Sequence, residues 1–309
     1  MSNSLAFVFP GQGSQAIGMS SALAAQFPLV QNIYKEASDA LGIDLWAMTQ
    51  EGPIEELSQT QNTQPALLTA GVAAYRCWLE AGGKAPSLMA GHSLGEYTAL
   101  CCAGALNFAD AVALVRDRGR YMQEAVPAGE GGMAAIIGLE DDQVRSICSE
   151  VSTPDAIVQA VNFNAPGQVV IAGSTAGIAT AMEALKAAGA KRALPLPVSI
   201  PAHSSLMAPA SARLNERIAG LDIKVPSIPV VHNCNLEIAT SDDQIRANLV
   251  SQLDSPVRWV ETVGKMTEAG TSQFIESGPG RVLGGMIKRI SRESATAVIE
   301  TPEQINELV

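Results

Sequence analysis

The pentapeptide Gly91-His92-Ser93-Leu94-Gly95 constrains this chain more than any other stretch. It follows the apolar run Ser87-Leu88-Met89-Ala90 and leads into the helix-compatible Glu96-Tyr97-Thr98-Ala99-Leu100-Cys101-Cys102-Ala103. A strand, a G-x-S-x-G turn and a helix form a nucleophile elbow, which lifts a serine hydroxyl clear of a sheet edge. The glycines are needed because the turn is tight and neighbouring backbones come close. The helix start adds unpaired backbone N–H groups beside the serine, where an oxyanion would develop. On its own the motif is also an ordinary Gly/Ser turn. The strand before it and the helix after it point instead to Ser93 as the nucleophile of an acyl-transferring enzyme.

An elbow needs a sheet, and the rest of the chain supplies one. Leu5–Phe9 reads as a short buried strand ended by Pro10 and the loop Gly11-Gln12-Gly13-Ser14-Gln15. Helical periodicity covers Met19–Phe27, Pro28–Leu41, Pro65–Ala81 and Asn107–Glu124. Strands alternating with helices imply a mostly parallel α/β sheet covered on both faces. With 309 residues, 47% apolar and 17% charged, the chain can bury one large or two modest cores.

Residues 128–197 have a different rhythm. Strand patterns at Met133–Leu139, Ile157–Phe163, Gln168–Ala172 and Lys191–Leu196 alternate with helix patterns at Asp141–Glu150 and Ser174–Ala188. The turn Asn164-Ala165-Pro166-Gly167 joins the middle two strands. The order βαββαβ is that of a ferredoxin-like unit. The expected organisation is therefore a discontinuous catalytic core, residues 1–127 and 198–309, carrying a small α+β subdomain at 128–197.

A serine nucleophile needs a base, usually histidine. The chain has three: His92, His203 and His232. His92 is expected to turn away from the nucleophile it adjoins, and His232 ends an apolar strand-like run and receives no role. Elimination leaves His203, in a polar loop where the core resumes. No acidic residue has a clear triad signature, so a Ser–His pair oriented by a carbonyl oxygen stays open. The stretch Gly11–Ala16 also fits the dinucleotide pattern G-x-G-x-x-A, but Pro10 interrupts the strand-to-turn geometry. A better use is a loop that offers a backbone N–H opposite that of Leu94. Arg116, Arg118 and Arg120 share one helix; one of them, turned inward, could grip a substrate carboxylate with two parallel hydrogen bonds.

Several stretches, taken in order, closely resemble the malonyl-CoA:acyl carrier protein transacylases of fatty-acid synthesis. They are Phe9–Gln15, Gly91–Glu96, Arg118-Gly119 with Met122-Gln123, Asn162–Gln168, Pro201-Ala202-His203, Gln252 ahead of Pro256-Val257, and Gly278-Pro279-Gly280. The resemblance spans almost the whole chain and implies an α/β-hydrolase-like core with a ferredoxin-like insertion. It also implies Ser93 as nucleophile, His203 as general base and acid, and the N–H groups of Gln12 and Leu94 as the oxyanion hole. Arg118 would pair with the malonyl carboxylate, and the main-chain oxygen of Gln252 would orient the histidine. No cofactor is implied, since malonyl-CoA is the substrate. A serine hydrolase or thioesterase using the same pair, or a non-catalytic acyl-binding scaffold, are the competing functions. Leu94 resembles the malonyl-selective members; Ala202 stands where some relatives carry serine.

The net charge of −11 argues against a nucleic-acid partner, which needs clustered Lys and Arg. No run approaches a membrane span, the start lacks a signal-peptide pattern, and the five cysteines form no disulfide framework. A soluble cytoplasmic enzyme is the expectation. An acidic carrier protein would need a local basic surface, and two are candidates: Arg281, Lys288, Arg289 and Arg292, or Lys191 with Arg192.

Overall fold

A computed structural model describes residues 4–309. Five strands, β1 (Ser4–Phe9), β2 (Leu88–Gly91), β7 (Val230–Val231), β8 (Thr271–Ser277) and β9 (Ala295–Ile299), form one sheet in the order β7-β2-β1-β8-β9. Every neighbouring pair in it is parallel. All of β2 and the last four residues of β1 are buried, as strands covered on both faces must be. The β1–β2 register sets Phe9 against Gly91, so the loop after β1 emerges beside the elbow at the carboxyl edge of the sheet. That edge is where open α/β sheets place their ligands.

The second sheet is antiparallel, in the order β4-β5-β3-β6, from β3 (Gly131–Ile137), β4 (Val158–Ala165), β5 (Gln168–Ser174) and β6 (Arg192–Pro195). Helices Asp141–Val151 and Thr175–Ala187 cover it over an apolar cluster of its own, including Val144, Cys148, Ile171 and Leu185. The order βαββαβ and the antiparallel sheet match the sequence expectation. Its outer strand β4 does not end in solvent: Val257 N donates to Val161 O (2.8 Å) and Phe163 N donates to Val257 O (3.0 Å), joining the two sheets through the core chain. Arg289 adds a tie, donating to Pro166 O (2.6 Å) and Gln168 Oε1 (2.5 Å).

Some elements begin or end elsewhere than periodicity predicts. The first of these helices is Ser21–Gln26 rather than Met19–Phe27, because Ser20 takes a left-handed conformation ahead of it. The helix expected from Pro65 starts at Thr60 and carries Pro65 inside it, since its polar first turn is buried: Asn62, Thr63 and Gln64 are all in the interior. Asn164 and Ala165 belong to β4, so the hairpin tightens to Pro166-Gly167. Among the described residues no helix is long and apolar enough to cross a membrane.

Candidate active site

Ser93 lies between β2 and the helix Leu94–Cys102 with φ 52° and ψ −106°, a conformation a non-glycine residue rarely holds unsupported. Asn233, just beyond β7, supports it: its Oδ1 accepts from Ser93 N (2.8 Å) and its Nδ2 donates to Gly91 O (2.7 Å). The flanking glycines are sterically fixed. A Cβ on Gly95 would sit 2.0 Å from Phe9 O, and one on Gly91 1.8 Å from the Gly95 carbonyl carbon. The turn is therefore pressed against the end of β1, which brings Gln12 to the serine.

The Ser93 hydroxyl is 2.7 Å from His203 Nε2. His203 Nδ1 is 2.8 Å from the main-chain oxygen of Gln252, which can only accept, so the proton sits on Nδ1 and Nε2 presents its lone pair to the serine. Burial, followed by the Arg118 charge, lowers the His203 pKa to about 3. The imidazole is thus neutral at neutral pH.

Of the three arginines on the helix Phe108–Glu124, only Arg118 turns inward; Arg116 donates to Leu41 O and Arg120 pairs with Asp117. The Arg118 guanidinium is 1% exposed. It donates to Gln64 Oε1 (2.8 Å), Gln252 Oε1 (3.0 Å) and Ser93 Oγ (3.2 Å), and it lies over the Tyr97 ring at 5.1 Å. Its Nε finds no partner among the described residues. Burial pulls its pKa down, and the neighbouring Tyr97 and Glu96 oppose that shift.

A cavity of about 130 Å³ opens over these groups, with Gln12, Ser93, Leu94, Arg118 and His203 in its wall. Leu94 is the first residue of its helix, so its N–H is one of the initial donors that no intrahelical carbonyl satisfies. The apolar wall comes from both units: Met122 from the core, Met133 from β3, and Leu196, Val198 and Ile200 from the chain returning to the core. Gln252 stands behind the cavity rather than in its wall.

One histidine departs from expectation, and another, at the strand end where it was expected, has a buried acidic partner. His92 does not turn away: it is part of the cavity wall, with Nε2 2.8 Å from Asn164 Oδ1 on β4. The partner that draws it there is 72 residues distant and invisible to local reasoning. His232 is buried, and its Nδ1 is 2.6 Å from Glu96 Oε1. Gln64, Glu96 and Asn233 carry no local signal of their place at the site; Glu96 lies in the elbow motif, yet nothing in its surroundings along the chain marks a buried acid.

A family profile described as an acyl transferase domain matches residues 6–301. The malonyl CoA-acyl carrier protein transacylase of Escherichia coli K12 is 54% identical over 297 residues, which are 96% of each chain. That of Bacillus subtilis is 46% identical over 301 residues, 97% of this chain and 95% of its own. This chain belongs to the malonyl CoA-acyl carrier protein transacylases. Among solved members of the transacylase family, the Coxiella burnetii structure superposes with a TM-score of 0.97 at 50% identity, covering 99% of this chain and 96% of the other. A malonyl-transacylase solved in complex with a type II PKS acyl-carrier protein also gives 0.97, at 53% identity and 99% coverage of both chains. In this transacylase Lys288 and Arg289 lie on the helix Val282–Ile290, and Lys288 Nζ donates to Ser294 O (2.6 Å). Arg281 immediately precedes that helix and Arg292 follows it, both exposed; Lys191 and Arg192 are exposed on the second sheet.

Proposed function

We propose that this chain transfers a malonyl group from malonyl-CoA to the pantetheine thiol of acyl carrier protein through a malonyl ester on Ser93. The observation that carries the reading is the position of Ser93 Oγ, 2.7 Å from a neutral His203 Nε2 and 3.2 Å from a buried arginine. His203 takes the serine proton as Oγ attacks the thioester carbonyl, and returns it to the departing CoA thiolate. The carrier thiol then attacks the ester, with His203 serving first as base for the thiol and then as acid for the released Ser93 oxygen. The N–H groups of Gln12 and Leu94 hold the oxyanion in both halves.

Arg118 is the group for the free carboxylate. Three of the five N–H donors of its guanidinium are engaged within the protein, and the one to Ser93 Oγ places the cation beside the atom that carries the acyl group. An acetyl group has no carboxylate to accept from that cation and forfeits a charge-assisted hydrogen bond worth about 2 kcal/mol. The small cavity suits an acyl group of few carbon atoms. A carboxylate beside Arg118 also offsets the second cause of the low His203 pKa, so the correct substrate strengthens its own base. No cofactor enters this scheme, and with CoA thioesters as donors the reaction belongs in the cytoplasm. The division into residues 1–127 with 198–309 and residues 128–197 assigns the chemistry to the first unit and part of the acyl pocket to the second.

The test is the intact mass after brief exposure to malonyl-CoA, with Ser93→Ala as control. A malonyl-sized gain on the wild type alone is expected. No gain with accumulating free CoA would replace transfer by hydrolysis, and no gain without CoA release would remove malonyl as the acyl group.

A further inference from the structure

A buried acid and a buried histidine that the transfer steps leave unused lie directly behind the site. Glu96, in the first turn of the elbow helix, is 0% exposed, and His232, following β7, is 1% exposed. The Glu96 carboxylate accepts from three donors: His232 Nδ1 (2.6 Å) on Oε1, and Asn233 N (2.9 Å) and Gln252 Nε2 (2.8 Å) on Oε2. A carboxylate kept in a dry interior needs donors of this kind.

Its influence reaches the site through one side chain. Gln252 Nε2 donates to Glu96 and to Ser93 O (3.0 Å), its Oε1 accepts from Arg118 (3.0 Å), and its main-chain oxygen accepts from His203. An ionised carboxylate only accepts and a guanidinium only donates, so an amide between them fits in a single orientation. Among the described residues Arg118 hydrogen-bonds only neutral groups, Gln64, Gln252 and Ser93, and it lies over the Tyr97 ring. A buried cation needs a counter-charge, and Glu96, one amide away, provides it.

We infer that Glu96, clamped by His232, is a positioning residue that fixes the Gln252 amide and through it the Arg118 guanidinium. Selection of carboxylated over uncharged acyl groups then depends on a residue that never meets the substrate. The inference rests on the malonyl-transfer reading and on Arg118 as its carboxylate-binding group.

Glu96→Gln tests it, because it removes the negative charge and turns the charge-assisted hydrogen bond to Gln252 Nε2 into a neutral one. Loading from malonyl-CoA should fall about 10- to 100-fold in kcat/KM, the range of one charge-assisted hydrogen bond, with acetyl-CoA loading altered by less than about threefold. Equal losses for the two donors would make Glu96 a mere brace of the fold and overturn the inference. Arg118→Met separates the layers of the argument. If it leaves the malonyl-to-acetyl ratio unchanged, the carboxylate-binding reading itself fails; if it lowers the ratio while Glu96→Gln does not, only the role of Glu96 fails. Stability gives an independent readout. Glu96→Gln strands the Arg118 charge, so adding Arg118→Met should recover part of the lost Tm. A double variant no more stable than Glu96→Gln overturns the counter-charge.

Discussion

His203 carries the sharpest consequence at the scale of single residues. Its pKa falls from an ordinary 6.5 to about 3, through burial first and the Arg118 charge second. The folded value lies below the unfolded one, so the unfolded chain binds the extra proton between those limits. Stability supplied by the neutral imidazole is therefore full above about pH 6.5 and is lost as pH falls towards 3. The same shift predicts that acylation by malonyl-CoA keeps its neutral-pH kcat/KM down to about pH 5, where an unshifted histidine would cost roughly 30-fold. A pH–rate profile of Ser93 loading decides it; a midpoint near 6.5 would mean that the imidazole is wetter than the structure has it. Residue type was legible in the sequence for Ser93 and, by elimination, for His203. The inward turn of Arg118 was legible only through the family resemblance, because position along the helix does not separate Arg116, Arg118 and Arg120, which differ in the partners the fold offers them.

Elements position these groups through close approach. The elbow helix, β1 and β2 meet so tightly at Gly95 that a methyl there collides with Phe9 O, whereas Gly285, inside the helix Val282–Ile290, has open space around it. Opposite effects should follow. Gly95→Ala is expected to lower stability by about 3 kcal/mol through overpacking and to disturb Ser93. Gly285→Ala should raise stability by roughly 0.5–1 kcal/mol by restricting the unfolded chain. Denaturant midpoints for both variants, with Ser93 loading rates, check this; a neutral Gly95→Ala would show that β1 can move away from the elbow. The helix Val282–Ile290 is also set from outside itself: Glu276 at the end of β8 accepts from the N–H groups of Val282 (3.0 Å), Leu283 (3.0 Å) and Gly284 (2.9 Å). No residue within the helix supplies that cap, which is why a pattern search along its own sequence would not place its start.

The whole molecule joins two sheets beside the acyl cavity, and if its carrier is acidic, as the family resemblance implies, docking must overcome a net charge of −11. Arg289 is already tied to the Pro166-Gly167 hairpin, so reversing it would disturb the joint between the sheets as well as any docking surface. Lys288→Glu combined with Arg292→Glu is the cleaner probe. It should raise the KM for carrier protein about tenfold at low salt, an effect that salt diminishes, and leave loading from malonyl-CoA intact. Unchanged carrier kinetics would move docking to the Lys191–Arg192 side. What could be read from residue order is local: the elbow, the alternation that makes a parallel sheet, and the βαββαβ rhythm of residues 128–197. Each of these rests on spacing along a few turns or strands, which fixes backbone geometry without distant partners. Folding adds the long-range choices: His92 reaches Asn164, Arg118 is buried while Arg116 and Arg120 are not, and Gln252 joins Ser93, His203, Arg118 and Glu96. Those choices depend on desolvation and hydrogen bonding between groups as far apart in sequence as Ser93 and Gln252. A buried charge has no local signature, since the same glutamate is an ordinary helix residue until folding removes its water.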